Sequence, residues 1–194
     1  MWRLSAFFRG DKMAHKTGKQ TVIIDGNVGV CAAAAVGSKK EGEGPLGGEF
    51  DIINEDSRFG EKTWEKAESK MQRLAAEKAL EKCGLSFSDA DFAFAGDLLN
   101  QCVASAFGAR GSGVPFIGLY GACSTFAEAN ALAAVFADGP ARLCIAAASS
   151  HFCGAERQYR FPLEYGGQRP PSAQWTATAA GAALIKKDGN APFI

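Results

Sequence analysis

The sequence predicts an α/β fold built on a mostly parallel sheet, and three observations carry that expectation. The first is an alternation in the second half of the chain. Short apolar strand candidates at Asp91–Ala95, Pro115–Leu119 and Leu143–Ala148 are separated by helical patterns at 98–109 and Ser124–Ala137. Strand, helix, strand, helix, strand implies parallel strands joined by right-handed crossovers. The second is the unbroken apolar character of Leu143–Ala148, which suits a strand covered on both faces. The third is a strong amphipathic helix over Trp64–Cys83, in which Trp64, Ala67, Met71, Leu74, Ala75, Ala79 and Leu80 fall on one stripe. Thr63 is placed to cap its start and Gly84 to stop it.

The remaining segments are read in chain order. Residues 1–20 are expected to be a flexible leader, with Met13 an alternative start. Thr21–Ile24 is a short β-branched strand candidate, and Gly37–Gly48, crowded with Gly, Lys and Glu, is expected to be an exposed loop. After the polar stretch Ser149–Ser172, Trp175–Ile185 is expected to be a last strand rich in Ala and Thr. The longest apolar runs, Val28–Val36 and Ala129–Ala137, fall short of the ~20 residues that a membrane-spanning helix needs.

Composition narrows the function classes. The chain has 194 residues, enough for one domain or part of a larger one, and 47% of them are hydrophobic, which supports a real core. Lys plus Arg and Asp plus Glu balance at 21 each, so nothing favours a nucleic-acid partner. Six cysteines without a C-x-x-C pair, and only His15 and His151 to join them, argue against a structural zinc site. A secretory leader is not expected from the short run Trp2 to Phe8, which Arg3 and Ser5 break, and free thiols in a reducing compartment are expected.

In an open parallel sheet, ligands bind outside the carboxyl ends of the strands. Three polar clusters fall there: Asp97 with Asn100 and Gln101; Cys123 with Ser124 and Thr125; and Ser149-Ser150-His151, followed by Glu156, Arg157 and Arg160. All three are expected to face one crevice. Cys123 follows a strand and opens a helix, where unpaired N–H groups favour a thiolate or a bound anion. Spacing alone leaves nucleophile, anion site and structural thiol open. Asp97 is expected first as the cap of the next helix, with a ligand contact as the alternative. His151 serves either as acid/base or donor, or as a buried ring bonded to backbone. Glu156, Arg157 and Arg160 are expected to form a charge cluster that holds their loop.

Eight strings in order are more specific than any of these: Gly44-Pro-Leu-Gly-Gly-Glu-Phe-Asp51, Trp64-Glu-Lys-Ala-Glu68, Ala95-Gly-Asp-Leu-Leu-Asn-Gln101, Pro115-Phe116, Gly121-Ala-Cys-Ser-Thr125, Ser149-Ser-His151, Ala155-Glu-Arg-Gln-Tyr-Arg160 leading into Pro162, and Glu164-Tyr-Gly-Gly-Gln168. Together they resemble the stage V sporulation protein AD family across roughly residues 18 to 186. That family is similar in fold to the thiolase and condensing-enzyme superfamily, whose full domain is two α/β halves in a five-layer αβαβα sandwich. The resemblance covers the amino-terminal half, here 21–194, and implies a mixed, mostly parallel sheet with helices on both faces.

The resemblance also implies a function. It points to a protein that binds dipicolinic acid within the apparatus that moves this compound into and out of the spore. Such a protein would sit peripherally on the forespore or spore inner membrane, beside integral membrane proteins of the same operon. No cofactor is implied, and the ligand is expected free or as its calcium chelate. Asp97 and Cys123 are the pocket residues carried over first, with Ser124, Thr125, Ser149 and His151 behind them. The alternative is an acyltransferase or condensing enzyme with Cys123 as acyl-thioester nucleophile. The superfamily's activating histidines or asparagine belong to the second half, so this chain is not expected to catalyse alone. An apolar face left by half a core is expected to give either an aggregating product or a homodimer.

Overall fold

A computed structural model describes residues 13–159, 172 and 176–187. Two short strands, β1 (His15–Thr17) and β2 (Thr21–Ile23), form an antiparallel hairpin at the start. The part of the expected leader before residue 13 lies outside the described residues, and its remainder carries β1.

The main body is a six-stranded sheet in the order β4-β3-β8-β7-β5-β6. Its strands are β3 (Val28–Ser38), β4 (Ile52–Asn54), β5 (Phe92–Gly96), β6 (Phe116–Leu119), β7 (Leu143–Ser150) and β8 (Ala179–Lys187). β7, β5 and β6 pair in parallel, as the alternation predicts, and β3 pairs in parallel with β4. Only β8 runs the other way, inserted between β3 and β7 and antiparallel to both. A short helix, α1 (Lys39–Gly42), follows β3.

Helices cover both faces. α2 (Trp64–Lys82) lies on one, where Met71, Ala75, Ala79 and Leu80 pack on Val36, Ile145, Ala182 and Leu184. α4 (Thr125–Ala137) lies on the other, where Ala129, Ala133 and Ala134 pack on Phe94, Cys144, Ala146 and Ile185. α2 begins and ends as its sequence predicts: Thr63 Oγ1 accepts from the Lys66 N–H at 3.3 Å, and Gly84 takes a φ of +67° just beyond the end.

Three expectations are corrected, and one strand is not expected from the sequence at all: Val28–Val36 proves to be most of β3, a central strand that its Ala-rich composition disguised, because alanine has little strand preference of its own. The exposed loop expected from Gly37 starts later, since Gly37 and Ser38 are buried and paired with Ile53 and Asn54. The helix expected over 98–109 begins only at Val103, as α3 (Val103–Ala109). Gln101 and Cys102 adopt left-handed φ values of 61° and 52°, which break the turn before it. The last strand starts at Ala179 rather than Trp175, and residues 173–175 lie outside the described ones. Just before it, the Thr178 N–H donates to Glu41 and the Ala177 carbonyl accepts from the Ser150 hydroxyl, while the Thr178 carbonyl still accepts from the Ser38 N–H.

Candidate ligand site at the strand ends

Alternation along β7 decides what each face of the strand ends presents. Leu143, Ile145 and Ala147 join the α2-side core, so Ser149 continues on that face, whereas Cys144 and Ala146 join the α4-side core and lead to Ala148 and Ser150.

On the α2 face the polar residues close on one another. The Ser149 hydroxyl donates to Glu68 at 2.9 Å and accepts from the Gln72 amide at 3.1 Å. The same amide nitrogen lies 3.1 Å from the Gly96 carbonyl and from the Ser105 hydroxyl. Asp97 is fully buried beside them: it accepts from the Leu99 N–H at 2.9 Å, and from the Ser105 N–H and hydroxyl at 2.7 and 2.6 Å. It therefore caps the third residue of α3 from a distance, which is the capping role the sequence suggests. Glu68 is also buried, and its second oxygen has no partner among the described residues. Burial first, then the nearby Asp97 charge, pushes its carboxyl up to about 8, against a favourable bond from Ser149.

On the α4 face the strand ends are open. A cavity of about 410 Å³ is lined by Asp97, Leu98, Ala122, Cys123, Thr125, Phe50 and the ends of β3, β7 and β8. Its floor is a row of small residues paired across three strands: Ala35, Gly181 and Ala148, then Ala179 and Ser150. A Cβ added at Gly181 would meet nothing within 4 Å, so the floor opens at that point. Phe50 forms one wall and lies over Gly37, where a Cβ would come within 2.8 Å of its ring.

The opposite wall is the head of α4. Ala122 is held at a φ of 49°, a left-handed conformation that costs an alanine about 1 kcal/mol. This turn presents the Cys123 thiol, which is exposed, two residues before α4 begins at Thr125. Thr125 Oγ1 accepts the Gly121 N–H at 3.1 Å, and the Ser124 hydroxyl donates to the Gly121 carbonyl at 2.8 Å. Gly96 permits this approach, since a Cβ there would collide with the Leu119 carbonyl and Thr125.

The three sequence clusters thus meet only in part. Asp97, Cys123, Thr125 and Ser149 line one cavity, although the side chain of Ser149 is bonded toward α2. Ser124 is exposed at the same turn, outside the lining. His151 belongs elsewhere: it is fully buried, its Nε2 lies 2.9 Å from the Ser57 carbonyl, and its Nδ1 accepts from the Cys153 N–H at 3.1 Å. Burial lowers its pKa, and its ring packs on Trp64 with centroids 5.1 Å apart. These bonds fix a neutral ring with Nε2–H as donor. Arg160 and the side chains of Glu156 and Arg157 lie outside the described residues. Among the described lining residues there is no Lys or Arg. Sequence reasoning missed Phe50, Ala35, Gly181, Ala148 and Ala179. Small residues carry no chemical signature, and only the pairing of β8 between β3 and β7 brings them together.

A sequence model of the stage V sporulation protein AD family matches residues 18–194. The chain belongs to that family. It is 42% identical over 172 residues to stage V sporulation protein AD of Bacillus subtilis (strain 168), a match covering 88% of this chain and 51% of the relative. The chain therefore spans about half the length of the curated relative it matches. Among solved structures, β-ketoacyl-[acyl carrier protein] synthase III of Thermus thermophilus is similar at a TM-score of 0.54 and 19% identity, covering 84% of this chain and 52% of that one. OleA of Xanthomonas campestris gives 0.52 and 17%, covering 83% and 56%. At such identities the likeness carries the fold alone, which for this family member is the thiolase-like, condensing-enzyme fold.

Proposed function

We propose that this chain provides a dipicolinate-binding site, and that it works as a peripheral component of the spore's dipicolinate uptake and release apparatus. The observation that carries the reading is the flat floor of Ala35, Gly181 and Ala148 between Phe50 and the Cys123 turn. Dipicolinate is a planar aromatic dicarboxylate. Three neighbouring strands bearing almost no side chain offer a planar ring a surface to lie on, and Phe50 offers it an aromatic edge or face. The head of α4 attracts a carboxylate through its dipole, a contribution of about 1 kcal/mol. With no lysine or arginine among the described lining residues, binding rests on shape and on that helix head, and it weakens with salt. A calcium chelate, whose net charge is lower, suits the same site.

No helix among the described residues is long and apolar enough to cross a membrane. Placement on the spore inner membrane therefore calls for integral partners, and the membrane proteins of the same operon fit that role. Calorimetry with dipicolinate and with its saturated, puckered-ring analogue tests the reading. Saturable heat from the planar acid alone is expected. Equal heats from both, or none from either, would sink it.

A second reading rests on the exposed Cys123 at the strained Ala122 turn: an acyltransferase or condensing activity through an acyl-Cys123 thioester. Incubation with an acyl-CoA and an intact-mass measurement separate the two readings. An adduct that is absent from Cys123→Ser would favour this second one.

A further inference from the structure

We infer that Cys31 and Cys83 form a reversible dithiol–disulfide site that clips the C-terminal end of α2 to β3. The ladder between β3 and β8 slips between Val30 and Ala32: Val30 faces Ile185 while Ala32 faces Leu184, so Cys31 is an inserted residue without an opposite number. The bulge reverses the alternation of the strand. Val28 and Val30 pack on the α4 side, whereas Cys31, Ala32, Ala34 and Val36 all pack on the α2 side. Cys83 is the residue that ends α2 and is exposed.

The two cysteines meet at this point. Cys83 Sγ lies 3.7 Å from the Cys31 carbonyl, and Cys31 Sγ lies 3.4 Å from the Leu184 carbonyl. With the Cys83 sulfur already against the Cys31 backbone, side-chain rotation and a small movement of the exposed helix end bring the two sulfurs together. Lys82, next in the chain, donates to the Ala33 carbonyl at 2.7 Å and holds the end of α2 against the same strand.

The oxidant is a low-molecular-weight disulfide. The Cys83 thiolate attacks one sulfur of RSSR, releasing RS⁻ and leaving Cys83–S–S–R. The Cys31 thiolate then attacks the Cys83 sulfur and releases the second RS⁻. Both thiolates take up the protons that the cysteines gave up, so the products are one protein disulfide and two RSH. Exposure makes Cys83 the first to react. Cys31 follows slowly at neutral pH, because burial and the neighbouring Cys83 push its thiol up to about 11.

The test treats this chain, folded, with oxidised glutathione, blocks the remaining thiols by alkylation, and maps the peptides by mass spectrometry. The expected product is a Cys31–Cys83 linked peptide from a molecule lighter by two hydrogens, restored by dithiothreitol. In Cys31→Ser, Cys83 should stop at the glutathione adduct. A parent protein in which Cys31 and Cys83 stay separately modifiable would overturn the inference, as would linkages spread equally over Cys123 and Cys153. Cys83→Ser, an exposed change that should leave the melting curve unaltered, should give no linked Cys31 peptide, and a melt of the oxidised parent that keeps a cooperative transition checks that the linkage forms in the folded state.

Discussion

The two faces of the sheet at its carboxyl end contrast sharply. On the α2 face, Glu68, Gln72, Ser105, Ser149 and Asp97 are buried and hydrogen-bonded to one another or to backbone. On the α4 face, at the neighbouring residue of the same strand, the surface is nearly bare and half-exposed, with Ala148 and Gly181 as floor and Cys123 at the rim. The polar face is closed and the apolar face is open. Nearly all the hydrogen-bonding groups on the closed face have partners within the protein, the second oxygen of Glu68 being an exception among the described residues, and the open space lies where side chains are small.

The largest expected effect comes from Asp97→Ala, which strands three buried donors on Leu99 and Ser105. It should cost about 4 kcal/mol of stability in denaturant melts. A loss of ligand binding with an unchanged melt would instead place Asp97 on the open face's side of the division.

Next is Glu68→Gln. The carboxyl is held near 8 in the folded protein against an ordinary value of 4.5. Below the ordinary value both states keep the proton. As pH rises from there toward 8, the unfolded chain releases it and the native state does not, so stability falls across that window. Glutamine removes this slope and should raise stability by up to roughly 3 kcal/mol at pH 7, with little change at pH 4. Melts of the two proteins across pH read the difference directly.

Two smaller effects belong to the open face. Gly181→Val extends into the open floor, where a Cβ meets nothing within 4 Å, in a strand position that valine favours. It should weaken dipicolinate by about tenfold or more, the equivalent of 1.4 kcal/mol, while leaving the melt within about 0.5 kcal/mol. Cys123→Ser should change stability least of all, again within about 0.5 kcal/mol, because the thiol is exposed. Alkylation of Cys123 in the parent should compete with dipicolinate.

The sequence made the scaffold more legible than the site. α2 is readable to within a residue at both ends, because its stripe, its Thr63 cap and the Gly84 stop all agree. The three parallel strands β5, β6 and β7 follow from their alternation with helices. β3 does not, since Ala32 to Ala35 have no strand signature and are held by pairing with β8, some 150 residues away in the chain. At the site, Cys123 could be placed from its position between strand and helix. Asp97 and Ser149 could be seen as strand-end polar residues, but which face each would take depends on a register that only the folded sheet sets. His151 lies in neither group, held by the Ser57 carbonyl and the Cys153 N–H.

The measurement that bears most directly on this division is a calorimetric titration of dipicolinate into the parent and into Gly181→Val, paired with a melt of each. The account predicts saturable binding to the parent and a loss of at least about tenfold in the variant at an unchanged melting midpoint. Equal affinity in both proteins would contradict it, and would put the ligand somewhere other than the floor between Phe50 and Cys123.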